Sequence, residues 1–284
     1  MKRAILTCWH KYTPYGDEFY APLLEFYFQT MKKYQNEFNR IYLLDSTWNI
    51  KGLPPEELKG RVTVMQVNPS LRYYDAYKGI LPYVEEDQVL LLDNDMIINK
   101  AGVINTIFLH LDLYDVVSIY DTIGEKHFKE LDNQSKFCPY LFATRTAVLR
   151  QYTASEWGPN MPVHETLGGL TEDMLRDGLK PFEMTEDKSS IYIDGTRSPT
   201  YGKDLGYYHI RAGSTIAYLL AEKTYGNKDT YLAYLHNQPK NEYARHCAWY
   251  RYMGGDPSPI LTDAGILFSD WDNYYTKFLN YHRL

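Results

Sequence analysis

Short apolar runs recur along the first part of the chain with little internal alternation: "RAILTCW" (3–9), "RIYLLDS" (40–46), "VTVMQV" (62–67), "QVLLLDND" (88–95) and "DVVSIY" (115–120). A strand with one wet face alternates apolar and polar residues, whereas a strand covered on both faces does not. Between these runs apolar residues return at helical spacing, over "APLLEFYFQTMKKYQN" (21–36) and over "LRYYDAYKGILPYV" (71–84) as far as Pro82. The pattern predicts a doubly wound α/β unit over roughly the first 120 residues, with a mostly parallel sheet and flanking helices. Further on, "TRTAVLRQYTASEW" (144–157), "LTEDMLRDGL" (170–179), "STIAYLLAEKTY" (214–225), "KNEYARHCAWYRYM" (240–253) and "DWDNYYTKFLNYH" (270–282) read as helices packed beside and beneath that sheet. No repeat, low-complexity tract or Gly/Ser-rich linker divides the chain.

A chain of 284 residues with 44% hydrophobic side chains can build a sizeable core. Its net charge of −6 argues against a general nucleic-acid binder, which needs a basic surface. Cys8, Cys138 and Cys247 are odd in number and lack metal-ligand spacing, so they read as reduced thiols and point to a cytoplasmic location. No run approaches the length of a membrane span, and "MKRAILTCWHKY" breaks too early for a signal peptide.

Ligands of open parallel sheets bind beyond the carboxyl ends of the strands. "CWHKY", "DST" and "DND" follow the first, second and fourth predicted strands and so belong to one rim. In an extended chain Asp93 and Asp95 project to one side and repel each other. Such a pair is tolerated if it is solvated at a strand tip or neutralised by a cation. The chain has neither a G-x-G-x-x-G nor a Walker sequence, so bound phosphates would need a metal. Hard carboxylate oxygens suit Mg²⁺ or Mn²⁺.

On these residues the chain resembles the GT-A fold of nucleotide-sugar-dependent glycosyltransferases, a Rossmann-like α/β architecture. "LLLDNDMII" resembles the metal-binding D-x-D strand, and "RYYDAYKGILPYVEEDQ" the preceding helix of glycogenin-like members. "LTEDMLRDGLK" resembles the glutamate–aspartate helix of inverting, family-2-like members, and "GYYHIRAGS" supplies a late histidine. The resemblance covers about residues 3–213. It implies a core over 1–213, with a nucleotide part to about 120 and an acceptor part beyond, and a helical extension over 214–284. The Q-x-x-R-W of processive synthases is absent.

The resemblance implies that Asp93, Asp95 and His209 hold Mn²⁺ or Mg²⁺. It places the nucleotide against Thr7, Cys8, Trp9, His10, Tyr12, Asp45, Arg72, Lys78 and Asn94, and the acceptor or sugar near Arg211. The donor is then a UDP- or GDP-linked sugar and the acceptor a glycan or other hydroxyl. Glu172 and Asp173 are read as opening a helix, with Asp173 as general base and Glu172 on an acceptor hydroxyl, which gives inversion. The same positions suit ordinary helix-capping acids. A wealth of aromatics, 28 Tyr, 5 Trp and 11 Phe, fits an acceptor groove, a plain core or a homo-oligomer interface. A retaining glycogenin-like transferase, a nucleotidyltransferase and a catalytically inactive sugar-nucleotide binder are the competing functions. A DNA-base glucosylating enzyme is disfavoured by charge.

Overall fold

The computed structural model describes residues 1–9, 13–47, 54–68, 70–120, 137–158, 167–184, 190–193, 196–199, 207–209, 213–237 and 240–282. Its centre is a seven-stranded sheet. Four strands, β1 (Arg3–Trp9), β2 (Arg40–Asp45), β3 (Val62–Gln66) and β4 (Gln88–Leu92), run parallel in the order β3-β2-β1-β4. A short strand β5 (Met96–Ile98) follows β4, and β6 (Val116–Tyr120), β7 (Phe137–Arg145) and β8 (Pro181–Met184) extend the sheet as β7-β6-β8.

The sheet is mostly parallel, as the apolar runs predict, and one strand runs against the rest. β7 enters between β4 and β6 and is antiparallel to both. Its run "FCPYLFATR" passes directly into helix α4 (Thr146–Gln151), so no turn signal separates strand from helix in the sequence. The strand predicted to reach residue 95 also stops early. Leu92 ends β4, and Met96 N donates to Asp93 O at 3.1 Å, closing a turn over Asp93–Met96. Asp and Asn side chains satisfy turn backbones and weaken strands, which is why "DND" ends the run.

Helices cover both faces. α1 (Asp17–Lys33) buries Tyr20, Leu23, Leu24, Tyr27, Phe28 and Met31 at helical spacing, with acids in its first turn and Lys32 and Lys33 in its last, as its dipole favours. α2 (Tyr73–Ile80) packs on the other face and gives way to a single tight turn, Leu81–Tyr83, at Pro82. α3 (Val103–His110) was not legible as a helix, because its eight residues give barely two turns of apolar spacing, at 103, 104, 107 and 108. α5 (Gly168–Arg176) starts two residues before the predicted helix, so Glu172 and Asp173 sit inside it and its first turn holds no acid. That corrects the expectation that they open the helix.

Beyond the sheet lie α6 (Gly213–Tyr225), α7 (Lys228–Asn237), α8 (Lys240–Tyr252), α9 (Ser258–Asp263) and α10 (Phe268–His282). Ile216, Leu220, Cys247, Trp249, Ile260, Trp271 and Phe278 join Ile5, Leu90 and α1 in one continuous core, each large apolar side chain contributing about 1.5–3 kcal/mol. A smaller core between α2, α4 and α5 covers the opposite face with Leu6, Tyr77, Leu91, Trp157 and Met174. Two short antiparallel pairs complete the fold: β9 (Ser190–Ile193) with β10 (Thr196–Pro199), and β5 with β11 (Tyr207–His209). Among the described residues no helix is long and apolar enough to cross a membrane.

Candidate active site at the carboxyl rim

β1 to β4 all point their carboxyl ends at one rim, and registers align Trp9 with Asp45 and Asp45 with Gln66. Asp45 is fully buried and already braced. Thr47 donates to its Oδ1 from N (2.8 Å) and Oγ1 (2.6 Å), while Gln66 Nε2 donates to Oδ2 at 2.8 Å. Ser46 Oγ donates to Trp9 O at 3.1 Å, tying the ends of β1 and β2 together. Thr7 and Trp9 are buried within β1 rather than displayed on a loop, and Cys8 is half-buried. The Thr7 and Tyr27 hydroxyls approach each other without meeting hydrogen-bond geometry. His10, Tyr12 and Arg211 lie outside the described residues.

The turn after β4 carries the charge. Val89 and Leu91 point into the α2 core, so strand alternation carries Asp93 toward that same side. Asn94 and Asp95 occupy the turn's two central positions, both half-buried. Burial, and after it the Asp95 carboxylate, pushes Asp93 well above the usual carboxylate range. Its reach extends further: the Cys8 thiol is pushed up to about 12, by burial first and then by Asp93 and Asp45. The rim therefore holds a focus of negative potential.

Chain pairing brings a third element to this place. β11 runs antiparallel to β5 with His209 opposite Met96, the residue next to Asp95. The backbone of His209 is thus beside the acidic turn, although 114 positions separate it from Asp95 in sequence. Among the described residues no three metal-ligating side chains form a ready cluster. Two hard carboxylates in a negative, partly desolvated turn nonetheless have the chemistry that Mn²⁺ or Mg²⁺ requires.

The remaining candidates fall elsewhere on α2 and α5. Arg72 is exposed just before α2 and donates to the Tyr74 hydroxyl at 2.6 Å. Lys78 donates to Ser155 O at 2.5 Å and lies over the Trp157 ring, so it secures the segment after α4. Ser155 Oγ donates to Asp173 Oδ2 at 2.5 Å, and Arg176 pairs with the other Asp173 oxygen. Glu172, next to it, is exposed. Tyr77 and Lys78 are consecutive on α2 and diverge by about 100°. The Asp93 charge acts on Tyr77, whereas Lys78 bonds to Ser155, the residue that holds Asp173. Tyr77 and Ser155 carry no signal in the sequence: one reads as core, the other as part of a helix over 144–157 that ends at Gln151 in the structure.

No protein-family model matches the sequence, and no curated protein matches it. Among solved structures, the galactosyltransferase LgtC in complex with donor and acceptor sugar analogues is similar at 15% identity and a TM-score of 0.38. That likeness covers 52% of this chain and 59% of the other, less than two thirds of its length. A nucleotidyl transferase from Methanothermobacter thermautotroptrophicus is similar at 14% identity over 64% of this chain and 86% of its own, with a TM-score of 0.43. A CMP:2-keto-3-deoxy-manno-octonic acid synthetase complexed with CTP shares 12% identity over 65% and 90%, with a TM-score of 0.39.

Proposed function

We propose that this protein is a metal-dependent glycosyltransferase that moves a sugar from a nucleotide diphosphate sugar to an acceptor hydroxyl. The observation that carries the reading is the acidic turn Asp93–Asp95 at the carboxyl rim of the parallel strands, with β11 bringing His209 alongside. Asp95 and Asp93 are assigned to Mn²⁺ or Mg²⁺, with His209 as the neutral third ligand. When bound, the cation would polarise the leaving diphosphate. The nucleotide is assigned to the rim between the segment after β1 and Asn94, with exposed Arg72 at the phosphates. Asp45 and Lys78, already bonded, would contribute chiefly by holding that rim in shape.

Asp173 is assigned as the proton acceptor of an inverting displacement, and Glu172 as a contact for the acceptor. That role requires Asp173 to exchange Ser155 or Arg176 for the acceptor hydroxyl. The proposal as a whole is tested by thermal shift with UDP, GDP, CDP and dTDP, each with and without Mn²⁺. At 100 times its dissociation constant a ligand stabilises by about 2.7 kcal/mol. One nucleotide should stabilise the protein only with Mn²⁺, and Asp95→Asn should abolish that dependence. Equal stabilisation in excess EDTA would overturn the metal assignment. Consumption of a nucleoside triphosphate with pyrophosphate release would favour a nucleotidyltransferase.

A further inference from the structure

Tyr77 is among the largest fully buried side chains of the protein, on the face of α2 that meets Leu6 and Leu91. Its ring lies edge-on to Tyr73 at 6.2 Å. Its hydroxyl has no hydrogen-bond partner among the described residues. Folded proteins rarely bury a donor that way, since a hydroxyl removed from water and left without an acceptor lowers stability. Burial, and after it the Asp93 carboxylate, keeps the phenol protonated, so it can act only as a donor or a neutral acceptor. Strand alternation brings Asp93 to this same side as β4 ends.

We propose that Tyr77 is a positioning residue whose hydroxyl donates to one Asp93 oxygen in the cation-loaded site and thereby turns the other oxygen toward the cation. The inference rests on the metal reading of Asp93 and Asp95. Ligating carboxylates are commonly oriented by such donors, and loss of one typically costs about 10- to 100-fold in metal affinity.

Tyr77→Phe removes the hydroxyl and keeps the ring. Mn²⁺ binding, followed by the EPR signal of free Mn²⁺ in a mixture of UDP, GDP, CDP and dTDP, should weaken about 10- to 100-fold. The thermal midpoint of the metal-free variant should equal or exceed that of the wild type. Tyr34→Phe, which removes another buried unpartnered hydroxyl, should leave Mn²⁺ binding unchanged. Unaltered affinity in Tyr77→Phe would overturn the proposal, as would a fall in affinity accompanied by a lower midpoint, which marks a packing role. If the wild type and Asp95→Asn both fail to take up Mn²⁺, the metal reading itself is wrong, and the wild-type arm shows it directly.

Discussion

Tyr15 donates its phenol proton to Glu222 Oε1 at 2.7 Å, linking the residues just before α1 to the far end of α6. Glu222 is buried, and its second oxygen accepts from Asn227 N at 2.9 Å. Tyr15, two residues ahead of α1, is therefore anchored to a carboxylate supplied by the C-terminal helices. Glu222→Ala leaves both donors without an acceptor, which should cost about 1–3 kcal/mol. Denaturant unfolding should show that loss, and nucleotide affinity should fall with it. Full affinity in Glu222→Ala would mean that the anchor is irrelevant to the rim.

Two glycines should respond to alanine in opposite directions. Gly16 caps α1 with φ +78°, and a Cβ there would lie 2.5 Å from Ala221 Cβ. Left-handed strain and overpacking together predict a loss of about 2–4 kcal/mol. Gly79 lies inside α2 with open space around it. Gly79→Ala should gain up to about 1 kcal/mol. Thermal midpoints of the two variants check both signs.

His246 gives the protein an acid-sensitive component. Arg245 Nη2 lies 3.0 Å from His246 Nε2, and because a guanidinium only donates, that nitrogen is unprotonated. Burial, with the Arg245 charge behind it, drops the imidazole to about 3. An unfolded histidine titrates near about 6.5. The associated stability is complete above that value and is lost as pH falls toward the folded one. His246→Gln keeps an acceptor without the titration, so its unfolding free energy should fall less between pH 6.5 and 4. Parallel pH profiles for the two proteins would remove His246 from the account.

Asp173 and Ser155 can be separated by kinetics. As a base, Asp173 replaced by Asn should lower turnover by about 10²- to 10⁴-fold while Mn²⁺-dependent nucleotide binding persists. Ser155→Ala should then keep turnover, because it only frees an Asp173 oxygen. Were Asp173 merely a latch to the segment after α4, both variants would lower the thermal midpoint and neither would abolish turnover. Proton NMR of fresh product reports the outcome at the anomeric carbon. Retained configuration with active Asp173→Asn would remove the base assignment.

Strands covered on both faces announce themselves, which is why β1, β2 and β4 stand where their apolar runs do, and the five residues of "QVLLL" are all buried. The amphipathic faces of α1 and α2 are legible for the same reason. β7 is not, since an antiparallel strand inserted from later in the chain is fixed by pairing with β4 and β6 rather than by any local pattern. Local turn chemistry decided where β4 stops, and an unbroken apolar run overrode it in the sequence reading. For the candidate site, "DND" is visible in the sequence because charge after an apolar strand is rare. Tyr77 is hidden, because a buried tyrosine on an apolar helix face looks like packing until its hydroxyl is seen to lack a partner.

The ribbon formed by β5 and β11 also sets an order in time. During synthesis the strands β1 to β4 emerge first and can begin to pair, and the acidic turn after β4 emerges with them. Tyr207–His209 follows only after most of the chain has left the ribosome, at about 5–20 residues per second. Contacts between such distant segments close late, because loop entropy must be overcome first. A nascent or prematurely released chain would thus carry the two carboxylates without the strand that flanks them. Pairing of β5 with β11 therefore reports that translation has passed residue 209.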